Sequence, residues 1–333
     1  MRSLKLEGKS IVHVVDQSDP IPGRGEVVID AAVSAICGSE LHTYRGEGLK
    51  KGNSGHEAVG TVVELGEGVS GLKVGQRVGA SAIAGCRHCT YCSNGQYTWC
   101  SDRKFYGSMH AERFLASAIA CYPLPDDISW QAGVLITGDA MGVPYHTSTK
   151  IASAEIQTVA VFGVGPIGLG NVLMQAHLGR RVIAVDIVPE RLAAAEALGA
   201  SEVVNAKEGD PVACVRQLSQ GAGVDVCIEA AGRPETALAC FDAVRTAGTV
   251  VFNGEQGALP ISPSDQFIRR DITAVGSWYY HFSEIDKILA LYRNGLQVTD
   301  LISHCYPFEE VQVAYKKFES GQSSKVLLDY LEK

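Results

Sequence analysis

Two groups of side chains in this chain of 333 residues have the types and spacing of metal ligands. The first is Cys86-x-x-Cys89-x-x-Cys92-x7-Cys100, four thiols within 15 residues. Four thiolates at about 2.3 Å close a tetrahedral zinc site. A closed shell leaves no position for a substrate, so such a site is structural. The flanking Gly85, Arg87, His88, Asn94 and Gly95 suit a loop that wraps an ion. The second group is sparser: Cys37 in Cys37-Gly38-Ser39-Glu40-Leu41-His42, and His56 in Gly55-His56-Glu57. One soft sulfur and one imidazole also suit zinc. Taken singly, each would equally serve as a core thiol or a hydrogen-bonding histidine.

A third motif points to a dinucleotide. Gly163-Val164-Gly165-Pro166-Ile167-Gly168 follows an apolar run and opens a helical one. Glycines there let the backbone turn and approach a pyrophosphate, and the helix start offers it free N–H groups. Asp186 stands 18 residues after Gly168, at the end of the next apolar run. A carboxylate there accepts hydrogen bonds from adenosine ribose hydroxyls and repels a 2′-phosphate, which predicts NAD over NADP.

These motifs need a scaffold. From Thr158 the pattern alternates: strand Thr158–Phe162, helix Ile167–Leu178, strand Arg181–Asp186, helix Pro189–Leu198, strand Glu202–Asn205. It continues with helix Asp210–Gln220, strand Val224–Glu229, helix Pro234–Arg245, strand Thr249–Asn253 and strand Ile272–Gly276. Such alternation implies an α/β fold with a doubly wound parallel sheet. The part before it is β-rich, with short runs at Ile11–Val15, Glu26–Val33, Ala58–Leu65 and Gln76–Ala80, and reads as a barrel or sandwich. Ser283–Tyr292 and Glu309–Glu319 read as amphipathic helices and Lys325–Tyr330 as a strand.

Composition bounds the function. The 29 basic and 37 acidic residues leave a net charge of −8, which argues against a nucleic-acid partner. Thr158–Gly179 carries no charged residue and is long enough to span a bilayer, but its glycines and Pro166 suit strand, turn and helix, so no membrane role is expected. The start, Met1-Arg2-Ser3-Leu4-Lys5, leads into no apolar stretch of signal-peptide length, which predicts a cytoplasmic protein with reduced thiols. Of the 10 cysteines, Cys121, Cys214, Cys227, Cys240 and Cys305 are left over and read as small buried hydrophobes.

The order of motifs carries a resemblance. Cys37-Gly38-Ser39-x-x-His42, then Gly55-His56-Glu57-x-x-Gly60-x5-Gly66, then the four-cysteine lobe, then the glycine loop, together resemble the zinc-containing medium-chain alcohol dehydrogenase family over nearly the whole chain. The resemblance implies a chaperonin-10-like β-rich catalytic domain at 1–145, with the structural zinc lobe at 86–100. A Rossmann domain binding NAD at 146–281 would be inserted in it, and 282–333 would return to the first domain. Two zinc ions per chain are implied, one catalytic and one structural. Cys37 and His56 would be catalytic ligands, Ser39 would receive the substrate hydroxyl proton, and His42 would pass it to solvent. Glu57 would lie beside the metal.

The third ligand is open. In Gly138-Asp139-Ala140, Asp139 stands where the polyol and threonine dehydrogenase branch has Glu, and Ala140 replaces its usual Pro. Asp139, Glu57 or a water would complete the shell. Arg191 matches a basic residue near the adenosine ribose, and Lys325 one that reaches the pyrophosphate. Two departures alter the pocket: Gly38 follows the ligand Cys37, and Lys50-Lys51-Gly52-Asn53-Ser54 lacks the usual Pro. The implied reaction is oxidation of a secondary alcohol, such as a polyol, sugar alcohol or threonine-like substrate, by a homodimer or homotetramer. The competing readings are a simple alcohol or aldehyde reductase, a zinc-free enone or quinone reductase, and a nucleotide sensor without turnover.

Overall fold

The alternating segment forms a six-stranded sheet whose strands are β1 (Thr158–Phe162), β2 (Arg181–Asp186), β3 (Glu202–Asn205), β4 (Val224–Glu229), β5 (Val244–Phe252) and β6 (Thr273–Gly276). The computed structural model, which describes residues 1–331, orders them β3-β2-β1-β4-β5-β6, every pair parallel. The order reverses between β1 and β4, so the carboxyl ends of those two strands flank a crevice. Helices α1 (Pro166–His177), α2 (Pro189–Ala197), α3 (Pro211–Leu218) and α4 (Pro234–Ala243) connect the strands. Each begins with proline, whose fixed φ and missing N–H fit the first helical position. Asp210 caps α3 by accepting from the Val212 amide at 2.9 Å. Ala160, Phe162, Ile183, Val185, Cys227, Phe241 and Val250 are buried together, as a sheet covered by helices requires.

This sheet lies in a compact unit of Val143–Tyr279 with Tyr292–Gln297. The other unit holds Met1–Gly142, Tyr280–Leu291 and the chain from Val298 onward. Its main sheet has seven strands. Glu26–Ala35 is long enough to pair with Glu57–Leu65 along one edge. Its other edge is shared between Arg113–Ser117 and Lys325–Asp329. The C-terminal segment thus completes a sheet begun near the N-terminus. Arg77–Ser81, Cys121–Pro123 and Ile302–Pro307 extend it.

Some elements differ from the sequence reading. The expected helix to Arg245 ends at Ala243, because Val244 is already extended and Ala247 takes φ +57° in the turn that follows. Helices at Trp130–Ile136 and Asp139–Lys150 were not foreseen. The second contains Pro144 and mixes Gly, Ser and Thr, so no apolar stripe announces it. Cys121, Cys227 and Cys240 are buried, but Cys214 is half-buried and Cys305 is exposed, so the expected hydrophobic role fails for Cys305. The strand Ile302–Pro307 alternates, exposing Ser303 and Cys305 on one face. No helix among the described residues is long and apolar enough to cross a membrane; Thr158–Gly179 is β1, the glycine loop and α1.

Candidate metal centres and dinucleotide loop

Cys37 follows the end of the Glu26–Ala35 strand, His56 precedes the Glu57–Leu65 strand, and Asp139 begins a helix. The fold brings ligand atoms of Cys37, His56, Glu57 and Asp139 within 4.8 Å of one another. His56 Nε2 lies 3.2 Å from Asp139 Oδ2, and Cys37 Sγ lies 3.9 Å from the same oxygen. The other imidazole nitrogen donates to the Ser54 carbonyl at 2.9 Å, which orients the ring. Asp139 Oδ1 is buried and has no hydrogen-bond partner. A buried carboxylate oxygen without a partner is costly, and a cation among thiol, imidazole and carboxylate removes that cost. Burial favours neutral His56, but Cys37 and Asp139 outweigh it and hold its pKa well above the ordinary value. The cluster therefore attracts positive charge, and its donor set fits zinc.

Glu57, at the edge of this cluster, has both carboxylate oxygens already engaged. One oxygen accepts from the Lys325 ammonium, and the other accepts the Asp139 amide at 3.1 Å. Burial raises the Glu57 pKa although Lys325 opposes it. Burial would likewise strip Lys325 of its proton, but Glu57, Cys37 and Asp139 reverse that and raise its pKa. Lys325 is 1% exposed. Its side chain is thus spent on Glu57. Ser39 and His42 are exposed at the start of the helix Glu40–Arg45, and no hydrogen bond joins them.

Several residues behind the cluster went unrecognised in the sequence. Glu40, fully buried, accepts the Cys37 amide at 2.8 Å, His110 Nε2 at 3.0 Å and the Tyr315 hydroxyl at 2.6 Å. Burial alone would raise its pKa, but the charge and hydrogen bond of His110, then His56 and Tyr315, bring it to about 2. His110 Nδ1 meets Ser34 Oγ at 2.8 Å, and Ser34 meets the Tyr330 hydroxyl at 2.9 Å. The His110 ring also lies where a Cβ on Gly55 would sit, 2.5 Å away, so Gly55 is what lets His56 approach. Tyr280 braces the chain on either side of Asp139: its hydroxyl donates to the Thr137 carbonyl and its ring fills the space beside Gly142. The only local signal among these was Glu40, three residues after Cys37, the spacing at which a carboxylate reaches back to an amide.

The second cluster is Cys86, Cys89, Cys92 and Cys100, again within 4.8 Å. Cys89 and Cys92 are 3.5 Å apart at sulfur, Cys86 and Cys92 3.9 Å, and none forms a disulfide. The His88 amide, with help from that of Cys89 and against burial, holds the Cys86 thiol down to about 6, while burial pushes Cys92 up to about 12. Four sulfurs at this spacing fit a closed zinc site. Thr98 donates to the Tyr280 carbonyl at 2.6 Å and Tyr97 stacks on Phe282, which tie the lobe to the segment after Tyr280.

In the other unit, Gly163 takes φ +88°, and a Cβ on Gly168 would lie 1.9 Å from the Gly163 carbonyl oxygen. Both positions therefore require glycine for the loop to turn under the start of α1. Gly165 is the residue before that helix. Asp186 Oδ2 accepts the Val164 amide at 2.8 Å, and Oδ1 accepts the Ile187 and Val188 amides at 2.7 and 3.0 Å. Arg191 stands 3.8 Å from the same carboxylate. The acid at the end of β2 thus holds the glycine loop.

Two family models match the chain: the alcohol dehydrogenase GroES-like domain over residues 23–126, and the zinc-binding dehydrogenase over 166–294. An L-threonine 3-dehydrogenase of Shewanella baltica is 28% identical over 345 residues, covering 98% of each chain. Alcohol dehydrogenase TADH from Thermus sp. ATN1 superposes with a TM-score of 0.89 at 30% identity, covering 99% of each chain. Galactitol-1-phosphate dehydrogenase from Escherichia coli superposes with a TM-score of 0.86 at 26% identity, covering 99% of this chain and 100% of the other.

Proposed function

The chain belongs to the zinc-containing medium-chain alcohol dehydrogenase family, and from that premise we propose how its residues divide the work of passing a hydride between NAD and a secondary alcohol. It is an NAD-dependent zinc alcohol or polyol dehydrogenase. The substrate is of the polyol, sugar-alcohol or threonine type, in keeping with relatives named for threonine and galactitol 1-phosphate. The observation that carries the reading is the convergence of Cys37 and His56 on Asp139 Oδ2, with the other oxygen of that carboxylate buried and without a partner.

Cys37, His56 and Asp139 would hold the catalytic zinc. Glu57, engaged by Lys325 and the Asp139 amide, orients that set rather than joining it. Bound zinc supplies Lewis acidity, worth several kcal/mol of charge stabilisation on a substrate oxygen. Ser39 takes the hydroxyl proton, and His42, exposed three residues on, passes it to solvent. In the other unit, Gly163, Gly165 and Gly168 let the backbone approach the pyrophosphate of NAD. Asp186 keeps acceptor capacity for the ribose hydroxyls after its three amide bonds, since a carboxylate has about four lone-pair sites. Arg191 adds positive charge beside it. The cofactor carries the hydride. Cys86, Cys89, Cys92 and Cys100 would hold the second zinc and take no part in turnover.

We read 1–145 with 282–333 as the catalytic domain and 146–281 as the NAD-binding domain, in a cytoplasmic homodimer or homotetramer. The test is NADH formation across threonine, polyols and simple alcohols, with zinc content measured before and after chelation. Chelation should abolish turnover on one of these substrates. Turnover on none of them, or turnover that survives loss of both metals, overturns the reading.

A further inference from the structure

Glu229 is wholly buried at the last position of β4, at the point where the strand order reverses. Its Oε1 accepts three hydrogen bonds: from the Ala231 amide at 3.0 Å, the Gly232 amide at 2.9 Å and Thr236 Oγ1 at 2.6 Å. Its carbonyl accepts the amides of Asn253 and Gly254 at 2.8 and 3.0 Å, and Gln256 Nε2 approaches Oε2 at 3.4 Å. One residue therefore binds the turn after β4 to the turn after β5. The turn after β1 joins them by contact, because a Cβ on Gly163 would lie 2.7 Å from Ala231. A Cβ on Gly254 would lie 2.6 Å from Glu229 Oε2, so that turn is moulded on the carboxylate itself. None of the steps assigned above uses this group.

We infer that Glu229 is a positioning residue for the cofactor, shaping through Oε1 the floor of the crevice that receives its nicotinamide half. The inference rests on the proposed NAD dependence. A doubly wound sheet of this order consists of two mononucleotide-binding halves. The half built on β1, β2 and β3 contains the glycine loop and Asp186 and takes the adenosine end. The half built on β4, β5 and β6 takes the other nucleotide, and Glu229 fixes its first two turns. A carboxylate accepting several donors holds a loop more firmly than a neutral group does.

The sheet order yields a test that separates this role from general stabilisation. Binding of NAD and of 5′-AMP is measured for the holoenzyme and for Glu229→Ala and Glu229→Gln. Ala should weaken NAD at least about tenfold while AMP stays within roughly twofold. Gln keeps an oxygen for the Ala231 and Gly232 amides and should restore most NAD affinity. Equal loss of AMP and NAD in the Ala variant, no loss of either, or a Gln variant as weak as Ala overturns the inference. A wild-type protein that binds AMP but not NAD overturns the proposed function itself, a distinct result from any of these.

Discussion

The backbone amide of Cys37 donates to the carboxylate of Glu40 at 2.8 Å, so the residue that offers a thiol forward is held from behind by an anion. That anion lies inside the protein only because His110, Tyr315 and Ser54 donate to it. The arrangement makes the metal site dependent on a carboxylate that touches no ligand atom.

Acid should expose this dependence. The Glu40 pKa falls from 4.5 to about 2 in the folded chain. A depressed carboxyl pKa contributes stability above the unfolded value and loses it as pH falls through the folded value. At about 1.36 kcal/mol per unit, Glu40 contributes on the order of 3 kcal/mol near neutrality, lost between about pH 4.5 and 2. Zinc-free wild type and Glu40→Gln should therefore differ in unfolding free energy near pH 6 and converge near pH 2. Parallel curves across that window in urea titrations would show that the buried charge carries no such linkage.

Distance along the chain decides what could be read in advance. The four-cysteine lobe and the glycine loop are each contained in a few residues, so their spacing alone announces them. The alternation from Thr158 gives the doubly wound sheet for the same reason, since period and breakers act locally. Asp139 is 102 residues from Cys37 and sits on a helix without an apolar stripe, so only resemblance located it. His110 and Tyr315 reach Glu40 across 70 and 275 positions, and nothing local distinguishes them from other buried polar residues. Lys325 illustrates the limit of a motif. Its position in the sequence suggests the pyrophosphate, whereas its ammonium rests on Glu57, a contact set by strand pairing between Lys325–Asp329 and Glu26–Ala35.

Cys100→Ser should separate folding from chemistry. Cys100 is fully buried, and its sulfur accepts the Cys86 amide at 3.4 Å. Structural zinc contributes on the order of 10 kcal/mol to the folding of small metal-binding peptides. Losing one thiolate should lower Tm by roughly 10 °C or more and make the lobe the first segment cut by protease. The fraction that stays folded should keep kcat within about twofold, because none of the four thiols faces the Cys37 cluster. A large fall in kcat with unchanged Tm would place the lobe in the chemistry.

Asp139→Asn tests the third ligand. The change preserves shape but removes the anion that faces His56 and Cys37. Metal affinity at that site should fall by at least about tenfold, and kcat/KM by about a hundredfold, or roughly 2.7 kcal/mol of transition-state stabilisation. Zinc analysis should show loss of one equivalent with the four-cysteine site still filled. Asp139→Glu, one methylene longer, should recover part of both. Retention of both metals with full activity in the Asn variant would transfer the role to Glu57.

Asp186 has two tasks, and its variants should show both. At the ribose position proposed for it, its carboxylate would repel a 2′-phosphate, so removal should narrow the preference for NAD over NADP. It also accepts the Val164 amide at 2.8 Å, so removal loosens the glycine loop for either cofactor. Asp186→Ala should therefore lower kcat/KM with NAD by at least about tenfold, with a smaller gain for NADP. If repulsion were the whole effect, NADP would gain and NAD would lose only the ribose bonds. Asn keeps one acceptor oxygen and no charge, which separates the tasks: it should raise NADP use more than Ala does, because the loop amide still has a partner. A wild-type enzyme with higher kcat/KM for NADP would remove the premise, and an Asn variant that behaves as Ala would show that the loop bond is immaterial.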